Sequence, residues 1–367
     1  MKLTVLAENL QKKLSVATHA ISSRSQLPIL SHVLLETKEG ALHISATDLE
    51  VGIEVTIPAE IEEEGATTIP AKLFLELVNT LPQDKIKLVT EGETLHITGK
   101  HVKSVLQTTP RDEFPTLYED LGTTFVTLKK GEIKKIFGKV AFAASIEATR
   151  PALSGVLIKQ QSDGPVVVAT DGYRLSLDHF SSESGLTPDT TIIIPAKVIK
   201  EAMGFSETEE VTVSVSTHNN QVAFVQSETV LIGRLIEADF PQYQKIIPSD
   251  VSTTVTFDRE EMLKAVKACS IFARETANII TFSFTKSGAI VRAKTPTLGE
   301  NTVEVEAAVT GEENDIAFNA RYVLDVLTNL QEAELVFEMT GPLNAGVFKI
   351  ANNPNFLHLI MPIRTQG

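Results

Sequence analysis

The side chains that can take a proton, hold a metal or attack a carbon are few in this chain and poorly grouped. Its eight histidines are His19, His32, His43, His96, His101, His179, His218 and His358. None stands at metal-ligand spacing from another, or from Cys269, the one cysteine. Cys269 falls in "EEMLKAVKACSIFA", with Met262 and Val266 at helical spacing before it. That reads as a small buried hydrophobe rather than a nucleophile. Asp48 and Asp171 recur in matching surroundings, "ATDLEVG" and "ATDGYRL". A turn role suits them better than a catalytic dyad. No phosphate loop, nucleophile elbow or dinucleotide fingerprint is present. Neither an enzyme nor a bound metal or cofactor is expected.

The basic residues make a better pattern. The formal net charge is −14, which by itself speaks against a polyanionic partner. Sorting the chain by element changes this. Six helices are expected over 7–20, 71–79, 130–144, 196–203, 259–274 and 320–331. They hold 14 lysines and arginines against seven acids, which leaves 19 basic and 40 acidic residues elsewhere. Lysines favour exposed helix faces in any protein. Acids favour helices too, yet here they are depleted there. Helices gathered on one surface would make it locally basic, and contacts to phosphate need only such charge. A pure protein-interaction scaffold would fit the net charge, but the sorted helix charge opposes it.

These residues are positioned by a repeat. "TIPAKLFLELVNTLP" (68–82) returns as "IIPAKVIKEAMGFS" (193–206) and, more loosely, as "AFNARYVLDVLTNL" (317–330). "LPILSHVLLE" (27–36) resembles "RPALSGVLIK" (150–159), and "RDEFPTL" (111–117) resembles "EADFPQY" (237–243). The offsets agree, so the chain reads as three homologous domains, 1–121, 122–249 and 250–367. Each is α+β. A strand leads into an amphipathic helix, as with Leu6, Leu10, Leu14, Ala17 and Ile21 in the first. Alternating runs such as "ALHISATD" and "VGIEVTIPA" read as strands. A second helix starts at the Pro-Ala-Lys, and more antiparallel strands follow. One cysteine excludes an internal disulfide, and no run approaches a membrane span. The start, "MKLTVLAENLQKK", has no apolar stretch long enough for a secretory signal. A soluble cytoplasmic protein is expected.

Over its whole length the sequence resembles the bacterial sliding-clamp family, the beta subunits of DNA polymerase III. The residues that carry this are "LPILSHVLLE", "ATDLEVGIEV", "ATDGYRLSL", "DFPQY", "YVLDVL" and "IMPIR", in that order. The resemblance implies three domains of the DNA-clamp fold, each with two helices and antiparallel sheets. It implies a head-to-tail homodimer closed into a ring that encircles duplex DNA and slides. Such a clamp tethers polymerases as a processivity factor and catalyses nothing. Matching positions give Arg24, Lys72 and Lys197 as DNA contacts, with Arg150 and the helix residues Lys12 and Lys13 as further candidates. Pro151 and Ala152 stand where the family carries aromatic residues, a departure at that point.

The implied partners are the polymerase III catalytic subunit, the clamp loader and other polymerases or repair proteins, each through a short peptide ending in hydrophobic residues. The matching pocket takes Leu153, Thr170, Gly172, Tyr173, Arg174 and Leu175, then Pro241 and Ile246. Tyr322 and Val347 complete it. The tail "FLHLIMPIRTQG" supplies Leu359, Ile360, Met361, Pro362, Ile363 and Arg364. A greasy tail kinked by proline is thereby read as a groove wall. The dimer contact is implied at Leu106 on one chain and at Ile271 and Phe272 on the other.

Overall fold

The computed structural model describes the chain except residues 22–26, 130, 148, 162–163, 181–189, 206–208, 298 and 365–367. Arg24 therefore lies outside the described residues. Six α-helices are described, two to a repeat: α1 (Ala7–Ala17), α2 (Ala71–Val78), α3 (Glu132–Phe137), α4 (Ala196–Ala202), α5 (Arg259–Ala273) and α6 (Ala320–Asn329). Helix α1 buries Ala7, Leu10, Leu14 and Ala17, the expected stripe. Leu6, which the pattern placed on that stripe, is instead the last residue of a strand and is exposed. Asp258 caps α5 by accepting a hydrogen bond from the Glu261 amide at 2.9 Å. Asn319 does the same for α6 through the Arg321 amide. Helix α3 is shorter than expected. Gly138 follows its last residue, and a 3-10 turn at Ala141–Ala143 replaces the rest.

By their contacts the residues form two compact units, one of Met1–Gly131 with Lys200–Leu235, the other of Ile236 onward with most of 132–199. The division cuts through the second repeat because that repeat gives strands to both large sheets. In the first unit an eight-stranded sheet runs Thr123–Leu128, Val211–Ser216, Gln221–Gln226, Thr229–Arg234, Val51–Pro58, Ala41–Thr47, His32–Lys38, Gly65–Pro70. A five-stranded sheet ends at the edge strand Val102–Gln107. In the second unit a nine-stranded sheet runs from Thr191–Pro195 to Ala307–Gly311, and a four-stranded sheet ends at Gly299–Val305. Helices α1 and α2 pack together, as do α5 and α6. Cys269 is fully buried in α5, and burial pushes its thiol pKa up.

One buried polar cluster fastens the loop at the end of the first repeat. The Glu54 carboxylate accepts from Tyr118 (2.7 Å), Ser45 (3.2 Å) and Lys38 (3.4 Å), and His43 Nδ1 lies 3.3 Å away. Burial alone would raise its pKa. The hydrogen bonds of His43 and Tyr118, with the Lys38 charge, outweigh burial and hold it at about 2. The folded value lies below the unfolded one. The charged form therefore stabilises the fold above pH about 4.5, and that stability is lost as pH falls toward about 2. Between pH 6 and pH 3 the protein should lose about 2 kcal/mol more than a Glu54→Gln variant does. Urea midpoints at the two pH values measure this, and equal losses would rule it out.

Candidate functional site

The loop at Asp171 is built by its own side chains. Asp171 Oδ1 accepts from the amides of Tyr173 (2.8 Å) and Arg174 (3.0 Å), and Thr170 Oγ1 donates to the Arg174 carbonyl at 2.6 Å. Gly172 takes φ +91°, a conformation that costs glycine little. The loop feeds the strand Arg174–His179, which pairs directly with Asn353–Ile360 near the other end of the chain. Leu175 stands opposite Leu359, and Leu359 opposite Val347 on the next strand. All three share one sheet face. Leu175 and Leu359 are fully buried, Leu153 and Val347 nearly so, and Tyr243 and Ala345 complete the apolar floor.

Around this floor stands an exposed apolar rim. Tyr173 is 64% exposed, Ile246 46% and Met361 42%, and Pro241 is exposed in the same loop as Ile246. The tail leaves the sheet at Ile360 but stays pinned. The Met361 amide donates to the Tyr173 carbonyl and the Ile363 amide to the Ala317 carbonyl, each at 2.8 Å. Pro362, between them, has no N–H to leave unpaired. Pro362 and Ile363 are half-buried, and Arg364 is exposed.

Beneath Tyr322 lies Arg174, only 9% exposed. Its guanidinium bonds Asp171 (3.0 Å), Asp325 (2.5 Å) and the Phe142 carbonyl (2.9 Å), and sits 4.8 Å from the Tyr322 ring centre. Tyr322 in turn stacks on Tyr173 at 6.4 Å. Burial first, then the Asp171 charge, raises the Tyr322 phenol pKa. A buried arginine with every face occupied sets the rings in place more than it offers itself to a ligand. Below it the His358 ring is fully buried, 2.5 Å from Ser176 Oγ, and burial holds it neutral with a pKa of about 3.

Of the expected pocket residues, Leu175, Leu359 and Val347 share this face, whereas Ile360 points to the opposite face of its strand and packs with Val323 and Phe348, so it lines no part of the floor. Arg150, expected among the basic contacts, has its Nη1 3.5 Å from where a Cβ on Gly172 would stand, at the edge of the same loop. Asp325, Phe142, Tyr243 and Ala345 were not expected. Tyr243 and Asp325 lie inside "DFPQY" and "YVLDVL", but nothing in the sequence marks Phe142 as a partner of Arg174.

The basic residues are less uniform than the charge sorting suggests. Lys72 and Lys197 are exposed in the first turns of α2 and α4. Lys12 is exposed and paired with Glu8 at 2.6 Å, and Lys13 bonds Glu228 at 3.0 Å. Lys139, past the shortened α3, turns inward to Glu332 at 2.7 Å. Arg259 bonds the carbonyls of Glu332 and Leu327, at and beyond the end of α6. Those two charges do structural work and drop out of any basic surface.

Three family models match the chain in order. They describe the N-terminal, central and C-terminal domains of the DNA polymerase III beta subunit, over residues 1–118, 127–242 and 244–364. A beta sliding clamp of Chlamydia trachomatis is 28% identical, over 99% of this chain and 87% of that one. Two crystal structures each cover all of this chain and are covered in full. The DNA polymerase sliding clamp of Bacillus subtilis matches at 25% identity and TM-score 0.94. The DNA polymerase III beta subunit of Thermotoga maritima matches at 27% and 0.90. The chain folds as three clamp domains and belongs to the DNA polymerase III beta subunit family, the non-catalytic sliding clamps that act as processivity factors, binding DNA and polymerase.

Proposed function

We propose that two copies of the chain, each with domains at 1–121, 122–249 and 250–367, close head to tail into a ring around duplex DNA in the cytoplasm. The observation that carries the DNA side is a repeated cost. Lys72, Lys197 and Arg321 each occupy the second position of a helix, α2, α4 and α6. A cation there opposes the helix dipole by about 0.3–1 kcal/mol. Three helices in one chain accept that cost at the same place, which phosphate contact accounts for and stability does not. Arg24, Lys12, Lys13 and Arg150 are the further candidate contacts. A lysine on a flexible stem holds phosphate without register, as sliding requires.

The groove over Leu175 and Leu359 takes the hydrophobic end of a short peptide. Polymerase III catalytic subunit, clamp loader and repair proteins carry that peptide, and the ring holds them at raised local concentration on the template. Exposed Tyr173, Ile246 and Met361 around a buried apolar floor support this reading.

The topological claim has a direct test. Clamps are loaded by a clamp loader and ATP on nicked circular DNA, and the circle is then cut once. Ring-shaped clamps should leave the linear DNA within minutes while staying on the uncut circle. Equal retention on both would overturn encirclement in favour of direct binding.

A further inference from the structure

The first and second repeats build the same loop. Asp48 Oδ1 accepts from the amides of Glu50 (3.1 Å) and Val51 (2.8 Å), as Asp171 does from Tyr173 and Arg174. Thr47 Oγ1 donates to the Val51 carbonyl at 2.8 Å and accepts from the Leu49 amide at 3.0 Å, copying Thr170. Leu49 takes φ +77° where Gly172 takes +91°. The strand that follows each loop pairs with a strand late in the next repeat. Gly52 stands opposite Ile232 as Leu175 stands opposite Leu359.

One difference decides the outcome. Gly52 takes the place of Leu175, so the floor at this junction has a socket where the other has a side chain. Leu117 of the linker fills it: Cγ and Cδ2 both lie 3.0 Å from where a Cβ on Gly52 would stand. The linker is then fastened. Tyr118 donates to Glu54 at 2.7 Å, Gln221 Nε2 donates to the Leu117 carbonyl at 3.0 Å, and Asn219 Nδ2 donates to Asp120 at 3.2 Å. The matching linker at the second junction, by contrast, leaves Pro241, Gln242, Gln244, Lys245 and Ile246 exposed.

We infer that the first junction is a second groove of the same design, held shut by its own linker. Leu117 is the seated apolar ligand, and the Tyr118–Glu54 hydrogen bond is the latch. With the linker displaced, the socket over Gly52 would take an apolar side chain on an extended segment. The inference rests on the peptide-groove reading above for its choice of ligand, but not for the latch.

The test uses the full chain and a fluorescein-labelled pentapeptide ending in Leu-Phe. Saturation is read per chain, and amide hydrogen exchange is read over 111–121. The native protein should saturate at one peptide. A Leu117→Ala/Tyr118→Phe variant should saturate at two, with linker amides exchanging at least tenfold faster. Adding Gly52→Val refills the socket and should return the count to one. Tyr118→Phe alone removes a single hydroxyl and should still speed linker exchange severalfold, so the latch is tested even if the double variant folds poorly. Unchanged linker exchange would overturn the latch. Faster exchange with the count still at one would overturn the groove. If the native protein binds none and the double variant binds one, the second-junction reading falls and this one stands. None in both defeats both.

Discussion

A chain that stops at Ile360 should fold and dimerise normally yet bind a hydrophobic partner peptide at least 100-fold more weakly. The cut is set by the sheet. Asn353–Ile360 is an interior strand between Arg174–His179 and Gly346–Ile350, and Ile360 is fully buried, so removing it would cost core packing. Met361 to Arg364 lie beyond the strand and contribute two backbone hydrogen bonds and one half-exposed wall. Losing an adaptable methionine and the apolar residues behind it from the wall of a binding groove is expected to cost about 2–4 kcal/mol. A factor of 100 corresponds to about 2.7 kcal/mol. Fluorescence anisotropy with the labelled peptide measures the affinity, and sedimentation measures the dimer. Affinity within threefold of the full chain would remove the tail from the groove. Monomers after truncation would place it in the dimer contact instead.

The sequence showed that this tail was unusual, but not what it faces. Alternation in "LHLI" tells which residues share a face, because side chains alternate along a strand. It cannot tell which strand lies next door. The partner, Arg174–His179, is separated from Leu359 by more than half the second repeat and most of the third, and non-local pairing leaves no mark in a local pattern. The repeat supplied what periodicity could not. Once "ATDLEVG" and "ATDGYRL" are seen as one loop twice, Asp48 and Asp171 become turn builders rather than a catalytic pair, and their hydrogen bonds bear this out. Charge sorting found exposed cations where a lysine begins a helix, at Lys72 and Lys197, and failed where tertiary contacts captured the charge, at Lys139 and Arg259. Helix length failed at α3, where Gly138 interrupts an otherwise amphipathic run. Leu117 and Gly52 were legible only as residues, since their meaning depends on a close approach that neither neighbourhood announces.

Replacing Ile271 with aspartate should turn the dimer into monomers at micromolar concentration while leaving thermal stability almost unchanged. Ile271 is 54% exposed on α5, so the folded monomer loses little apolar burial by the change. Phe272 is the worse choice, because it packs partly against the core beneath α5 and its loss would weaken the fold itself. The surface it would meet is the free edge of Val102–Gln107, where Leu106 is half-buried and Val105 is 55% exposed. That edge carries Lys103, with Lys100 in the turn before it. Another edge strand, Gly299–Val305, carries Glu300 and Glu304. Unpaired edges with opposite charges can join two copies into one continuous sheet while repelling like edges. Lys103 stands on the opposite face of its strand from Leu106, so a carboxylate buried against Leu106 meets no cation there and costs about 3 kcal/mol or more, enough to raise the dissociation constant at least 100-fold. Analytical ultracentrifugation reads the dimer, and a thermal melt reads the fold. The same variant should fail to stay on uncut circular DNA after loading, since an open chain encloses nothing. A dimer that survives Ile271→Asp would show that the two copies meet elsewhere. A variant that is monomeric yet stays on the circle would show that holding DNA does not need the ring.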